Sequence, residues 1–119
     1  MRLDLRNDLT ELPAVAEAVE RFCESRGIGP DVAAVVNLAL EEVVTSIISH
    51  GDADSADCRL RIELAHDDGA LTVRLEDDAE AFNPLARVDD LVGTLMDEVH
   101  YAREPGRNVW TIRKRAAVA

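Results

Sequence analysis

The chain has 119 residues, of which 47% are apolar, and this is enough to bury one core in a single domain spanning residues 1–119. Its formal net charge of −11 repels phosphate backbones and anionic lipids, so we expect neither nucleic acid nor membrane as a partner. The two cysteines lack metal-ligand spacing and no apolar run is long enough for a bilayer span, which together favour a cytoplasmic domain.

The N-terminal part of the chain predicts one strand and one helix. Leucines alternate with polar residues over residues 2–8, as is typical of a short strand. Apolar residues then recur at three- and four-residue steps over residues 10–26. We expect Thr10 to be the N-cap of this amphipathic helix, Pro13 to lie in its first turn and Gly27 to end it.

The middle of the chain predicts a long helix and a hairpin. The helix is expected from Pro30 to about His50, and its apolar stripe is so wide that we expect burial along most of its length. Residues 58–66 and 71–77 both alternate between apolar and polar side chains. The intervening DDG sequence predicts a tight turn between two antiparallel strands.

The last third predicts a third helix over residues 88–99, followed by strands at roughly 99–104 and 108–114 around an EPGR turn. The order is therefore strand, helix, helix, hairpin, helix, hairpin. This order predicts an α+β domain with helices packed on one face of a largely antiparallel sheet.

Two polar groups interrupt the apolar pattern. Glu42 and Ser46 lie one turn apart on the edge of the long helix's apolar stripe. The acidic segment EDDAEAFNP, residues 76–84, begins at the end of the second hairpin strand and continues directly after it. Because the end of a sheet can hold a site, the predicted fold allows these two groups to meet.

Three segments, in this order, resemble the anti-sigma-factor serine kinases of the RsbW type, which belong to the GHKL ATPase superfamily and are the kinase component of bacterial partner-switching modules. LALEEVVTSIISHG (38–51) is similar to the family's N-box helix, and EDDAEAFNPL (76–85) is similar to its first glycine box. LMDEVHYAREPGRNVWTIRKR (95–115) is similar to its C-terminal helix and strand pair. The resemblance implies a Bergerat-type two-layer sandwich, with helices on one face of a mixed, mainly antiparallel sheet.

The resemblance also implies roles for individual residues. Glu42 stands where the family has the glutamate that activates the attacking hydroxyl, and Ser46 stands where it has the Mg²⁺-binding asparagine. If the site is active, Glu42 is the catalytic base and Ser46 a Mg²⁺ contact. The alternative from the residues alone is that Glu42 is a carboxylate at the helix edge and Ser46 bonds to a backbone carbonyl one turn back.

The first glycine box carries the expected adenine end of the site. Asp77 matches the aspartate that accepts a hydrogen bond from the adenine amino group. Ala79 replaces the glycine that lets the backbone approach the base. Phe82 and Asn83, followed by Pro84, match the end of the box, so Ser46, Asp77, Ala79, Phe82 and Asn83 are the expected vestigial ATP-binding residues.

The expected phosphate end departs most from the family. There the family places a flexible lid and a Gly-x-Gly turn whose amides cradle the phosphates. In this chain only LARVDD, residues 85–90, separates Pro84 from Leu91. The sequence therefore predicts a shortened ATP lid without a phosphate loop.

We expect a regulatory protein that acts by protein binding, with ATP binding and kinase activity weakened or lost, and hence with no resident cofactor or metal. By resemblance its partner is a STAS-domain antagonist or a sigma factor, and a homodimer is a further expectation. The alternative is an active ATP- and Mg²⁺-dependent serine/threonine kinase that phosphorylates a STAS-domain antagonist.

Overall fold

The computed structural model describes residues 1–6, 9–50, 59–78 and 91–116. Its elements in chain order are β1 (Arg2–Arg6), a 3₁₀ turn (Leu9–Glu11), α1 (Leu12–Ser25), α2 (Pro30–His50), β2 (Arg59–Asp67), β3 (Ala70–Asp77), α3 (Leu91–Leu95), β4 (Glu98–Glu104) and β5 (Arg107–Arg115). The predicted order of strands and helices is confirmed.

The five strands form one sheet in the order β1-β2-β3-β5-β4, and all four pairings are antiparallel. One row across this sheet consists of in-register apolar side chains, namely Leu3, Ile62, Leu75, Trp110 and Tyr101. Because side chains alternate along a strand, every second residue of each strand faces the same side. That side packs against the helices, as predicted for an α+β two-layer fold.

The core lies between this sheet face and the two long helices. Helix α1 buries one side, and α2 buries a wider one, as its broad apolar stripe predicts. The fully or almost fully buried helical side chains include Val15, Val19, Phe22, Cys23, Val36, Ala39, Leu40, Val43, Val44 and Ile47. Burial raises the pKa of the Cys23 thiol. In the described part of the chain, no helix is both long enough and apolar enough to cross a membrane.

Two sequence predictions about helix ends are wrong. Thr10 lies in the 3₁₀ turn, and α1 begins at Leu12 after Glu11, which makes no side-chain cap hydrogen bond. Of the predicted third helix, only Leu91–Leu95 is helical in the described residues, while Glu98 and Val99 belong to β4. The Asp97 amide donates to the Arg113 carbonyl at 2.9 Å, so pairing with β5 overrides the helical periodicity there.

The turn between β2 and β3 depends on positive φ angles. Asp68 has φ 51° and Gly69 has φ 72°, the combination that a two-residue hairpin turn with right-handed strand twist requires. We expect Gly69→Ala to lower the free energy of unfolding by about 1 kcal/mol, because alanine is strained at this φ although its methyl meets no atom. Urea denaturation measures the loss.

Gly93 provides the matched control for this prediction. It lies in α3, and a methyl group there also meets open space. We expect Gly93→Ala to be neutral or stabilising by up to about 1 kcal/mol, since alanine is the better helix former. Equal losses from the two substitutions would contradict the turn argument.

Candidate functional site

A buried polar cluster lies at one end of the helix-facing side of the sheet. Asp77 on β3 and Asn108 on β5 are in register, and both are almost inaccessible, with exposed fractions of 4% and 0%. Alternation places them in the row next to Leu75 and Trp110. Leu75 and Trp110 belong to the core, so the two buried polar side chains beside them are an exception that needs partners.

Hydrogen bonds join this cluster into one network. The Asn108 Nδ2 donates to Asp77 Oδ1 at 3.0 Å. The Asn108 Oδ1 accepts from the Tyr101 hydroxyl at 2.6 Å and from Arg103 Nη1 at 3.2 Å. Asn108 therefore links the edge strand β4 to the carboxylate at the end of β3. We call Asp77, Asn108, Tyr101 and Arg103 the Asp77 network.

The network fixes a carboxylate acceptor in a largely desolvated position. A buried carboxylate held by an amide keeps its orientation without a ligand, and carboxylate oxygens accept hydrogen bonds from donors such as an exocyclic amino group. The Arg103 guanidinium, attached to the same amide, adds positive charge near the carboxylate. The arrangement can orient a hydrogen-bonding ligand.

Asn108 was missed in the sequence analysis, although a signal for it exists. In RNVWTIRKR the alternation places Asn108 on the same side as Trp110 and Ile112, which are both core residues. A polar residue at an inward position of a strand predicts a buried partner. The partner itself, Asp77, is 31 residues away along the chain.

The first two residues of the acidic segment, Glu76 and Asp77, lie on opposite faces of the sheet. Asp77 faces the helices, whereas Glu76 faces the opposite side and is 7% exposed. The Glu76 carboxylate forms ion pairs with Arg61, Arg74 and Arg107. Neutralisation by three guanidinium groups explains its burial, so Glu76 is a structural residue of the outer sheet face.

The other predicted site residues are described only in part. Glu42 lies on α2, is half-buried and forms no ion pair with any described residue. Ser46 follows one turn later on the same helix, but its side chain is outside the described part of the structure. Ala79, Phe82 and Asn83 also lie outside the described residues. Only Asp77 is thus placed in a defined set of contacts.

The contacts of His66, Trp110 and Tyr101 are those of residues that stabilise the fold. The His66 Nε2 lies 2.8 Å from the Ala116 carbonyl oxygen, where it donates a hydrogen bond. Trp110 is fully buried and its ring centroid is 5.5 Å from that of Tyr101, so Trp110 is a core residue and Tyr101 packs beside it on the same sheet face. Across the described ranges, no group of three or more His, Cys, Asp or Glu side chains is arranged to hold a metal ion.

Comparisons with known proteins agree with this fold. The family model of the histidine kinase-like ATPase domain matches residues 5–114. A structure of the RsbU and RsbW domains of Rv1364c from Mycobacterium tuberculosis superimposes with a TM-score of 0.72 at 18% identity, over 98% of this chain and 32% of that one. The chain thus spans about a third of that structure's length.

A second solved structure shares the fold more distantly. The Acinetobacter baumannii histidine kinase AdeS superimposes with a TM-score of 0.55 at 12% identity, over 95% of this chain and 67% of that one. A comparison with curated proteins gave no match. The match of the family model to nearly the whole chain, on the fold described above, shows that the chain belongs to the histidine kinase-like ATPase domain family.

Proposed function

We propose that this domain is a regulatory protein of a bacterial partner-switching system, acting by protein binding with ATP binding and kinase activity weakened or lost. The observation that carries the proposal is a contrast between the two ends of the expected ATP site. The Asp77 carboxylate is buried and oriented at the adenine end, whereas only six residues separate Pro84 from Leu91 where the phosphates need a lid and a glycine turn.

The residues present fit part of a nucleotide. A carboxylate that is 4% exposed and held by Asn108 is a suitable acceptor for the amino group of adenine. Ala79 in place of glycine opposes a close approach of the base to the backbone, and Ser46 offers Mg²⁺ a hydroxyl where the family offers an amide oxygen. The sequence keeps the family's adenine acceptor and departs from the family at its phosphate and metal positions.

Phosphoryl transfer depends for its rate on the phosphate and metal contacts at which the sequence departs from the family, since positioning and charge neutralisation provide most of the catalysis. Glu42 alone, as a half-buried carboxylate on α2, supplies only proton transfer, which contributes far less to the rate than positioning and charge neutralisation do. A domain that keeps the fold and loses the phosphate cradle is therefore better suited to binding a protein than to turning over ATP.

The first test is titration calorimetry of the purified domain with ATP and ADP, each with and without Mg²⁺. We expect no saturable, Mg²⁺-dependent heat and no thermal shift, because weak binding leaves the folded state unstabilised. A nucleotide present at a hundred times its dissociation constant stabilises the folded domain by about 2.7 kcal/mol, so real binding is easily detected.

Kinase activity needs its own control variant. If the domain phosphorylates a STAS-domain protein at an ordinary rate, and Glu42→Ala abolishes this activity while Glu41→Ala does not, the domain is an active serine kinase and the proposal fails. Glu41 is the matched control because it is the neighbouring carboxylate on α2 and is exposed.

Partner binding is the positive test. We expect the domain to associate, in the absence of nucleotide, with a sigma factor or a STAS-domain protein encoded by the same organism, as measured by calorimetry. RsbW is named in the structurally similar protein, which is the reason for testing these two classes first. Association only in the presence of ATP and Mg²⁺ would contradict a nucleotide-independent regulator.

A further inference from the structure

Charge is unevenly divided between the two layers of the fold. Ten of the 13 basic residues lie on the five strands, together with seven acidic ones. Residues 9–50, which contain α1 and α2, carry seven carboxylates and only two arginines. The acidic surplus of the described chain therefore lies on the helix layer, where it attracts cationic partners.

A groove of about 390 Å³ lies on this layer where the chain passes from α1 to α2. Its floor is formed by the buried side chains Cys23, Ile28 and Ala33, and the exposed residues Pro30 and Ala34 border it. The floor is apolar throughout, so it favours the burial of aliphatic side chains from a partner.

The rim of the groove carries two carboxylates without cationic partners. Glu20 and Glu24 are exposed, lie one turn apart on α1 and form no ion pair within the described ranges. The two nearby cations are engaged elsewhere, since Arg21 pairs with Glu17 and the Arg26 guanidinium lies 5.3 Å from the Phe22 ring centroid. Like charges at this spacing repel each other, and a bound cation relieves the repulsion.

We propose that this groove, with its apolar floor and the Glu20 and Glu24 rim, docks an amphipathic helix of another protein, whose apolar side chains enter the groove while its Lys or Arg residues pair with the two glutamates. The combination of apolar anchors and flanking cations is the pattern of helix-in-groove recognition. The cation is expected from another protein because the chain's own basic residues lie mostly on strands. This inference names a binding surface for the proposed regulatory function, and it rests on that function.

The test uses a fluorescein-labelled helical peptide with Leu and Arg at helical spacing, titrated with the whole domain at physiological ionic strength and followed by anisotropy. A peptide of the same composition with scrambled spacing serves as the probe control. We expect micromolar binding of the amphipathic peptide, and binding of the scrambled peptide weaker by about tenfold or more, since charge alone does not fill the groove.

Variants of the domain locate the binding. We expect Glu20→Lys to weaken peptide binding by about tenfold. Glu17→Lys makes the same charge change on the same helix but outside the groove, and it should weaken peptide binding by less than about twofold. Ala34→Trp fills the groove without changing charge and should also weaken binding by about tenfold. Thermal unfolding of each variant checks that the fold is retained.

Three outcomes overturn the inference. Equal losses for Glu17→Lys and Glu20→Lys mean attraction by diffuse charge, and an unaffected Ala34→Trp variant means that the apolar floor is not used. A dimer in sedimentation that Ala34→Trp dissociates assigns the groove to a second copy of the chain. Because the test contains no nucleotide, sigma factor or STAS-domain protein, its failure leaves the proposed regulatory function untouched, and the reverse also holds.

Discussion

Replacing Trp110 with alanine is expected to lower the free energy of unfolding by about 3–5 kcal/mol, the range for removing a large aromatic side chain from a core. Trp110 is fully buried on β5, in the row between Leu75 and Tyr101, and its ring packs against the Tyr101 ring. The substitution removes these contacts and leaves a cavity in the core between the sheet and the helices that the close-packed surroundings cannot fill. Urea denaturation followed by circular dichroism measures the loss.

Two further variants test whether the loss of stability in Trp110→Ala comes from the cavity. Trp110→Phe should lower the free energy of unfolding by less than about 2 kcal/mol, because phenylalanine keeps much of the aromatic volume. It also breaks no hydrogen bond, since the Trp110 Nε1 has no hydrogen-bond partner among the described residues. Thr111→Ala, next in sequence but on the outer sheet face, should change stability by less than about 1 kcal/mol. A Trp110→Ala loss no greater than that of Thr111→Ala would contradict the assigned core.

Replacing Asn108 with alanine is expected to lower the free energy of unfolding by about 2–4 kcal/mol, because it removes three hydrogen bonds and leaves the buried Asp77 carboxylate short of a partner. The groups affected are the Asp77 carboxylate, which is 4% exposed, the Tyr101 hydroxyl and the Arg103 guanidinium. The carboxylate dominates the loss, since an incompletely bonded buried charge is the most unfavourable of the three.

A double-mutant cycle tests whether the Asp77 network acts as a unit. Tyr101→Phe alone removes one hydrogen bond and should lose about 1 kcal/mol. Because Tyr101 acts through Asn108, the Asn108→Ala and Tyr101→Phe double variant should lose less than the sum of the single losses. Strictly additive losses would mean that Tyr101 and Asn108 are stabilised independently.

The Asp77 network also bears on the proposed function. Its hydrogen bonds are internal to the protein, so the carboxylate stays oriented without a nucleotide. Such a network stabilises the end of the sheet whether or not the domain turns over ATP. Asp77 in this chain therefore has a structural reason to be present, which the glycine-box resemblance alone does not provide.

The sequence predicted the elements whose burial pattern is long and regular. Helix α2 was predicted from Pro30 to about His50 and is found at Pro30–His50, and the β2–β3 hairpin turns at Asp68 and Gly69 as expected. In these elements the apolar pattern continues over several helical turns or over most of a strand, and turn residues mark the ends. Local pattern and tertiary packing agree in them.

Where local pattern and tertiary pairing disagreed, the prediction failed. The apolar spacing after residue 88 favours a helix, but the backbone at Asp97 pairs with Arg113 and the chain enters β4. Likewise Thr10 has the residue type of an N-cap, yet the chain forms a 3₁₀ turn before α1. At Asp97 a few residues with modest helix preference met a hydrogen-bonding partner from a strand far away in sequence.

The sequence by itself determined the α+β class and the family, because both rest on residue types at regular spacing along the chain. Only the tertiary structure decided that Glu76 and Asp77 have different surroundings, one among three arginines on the outer face and the other bonded to Asn108 on the inner face. Strand alternation sends neighbouring side chains to opposite faces, and their partners arrive through pairing with strands far away in sequence. The partners of a buried carboxylate are thus a property of the sheet register.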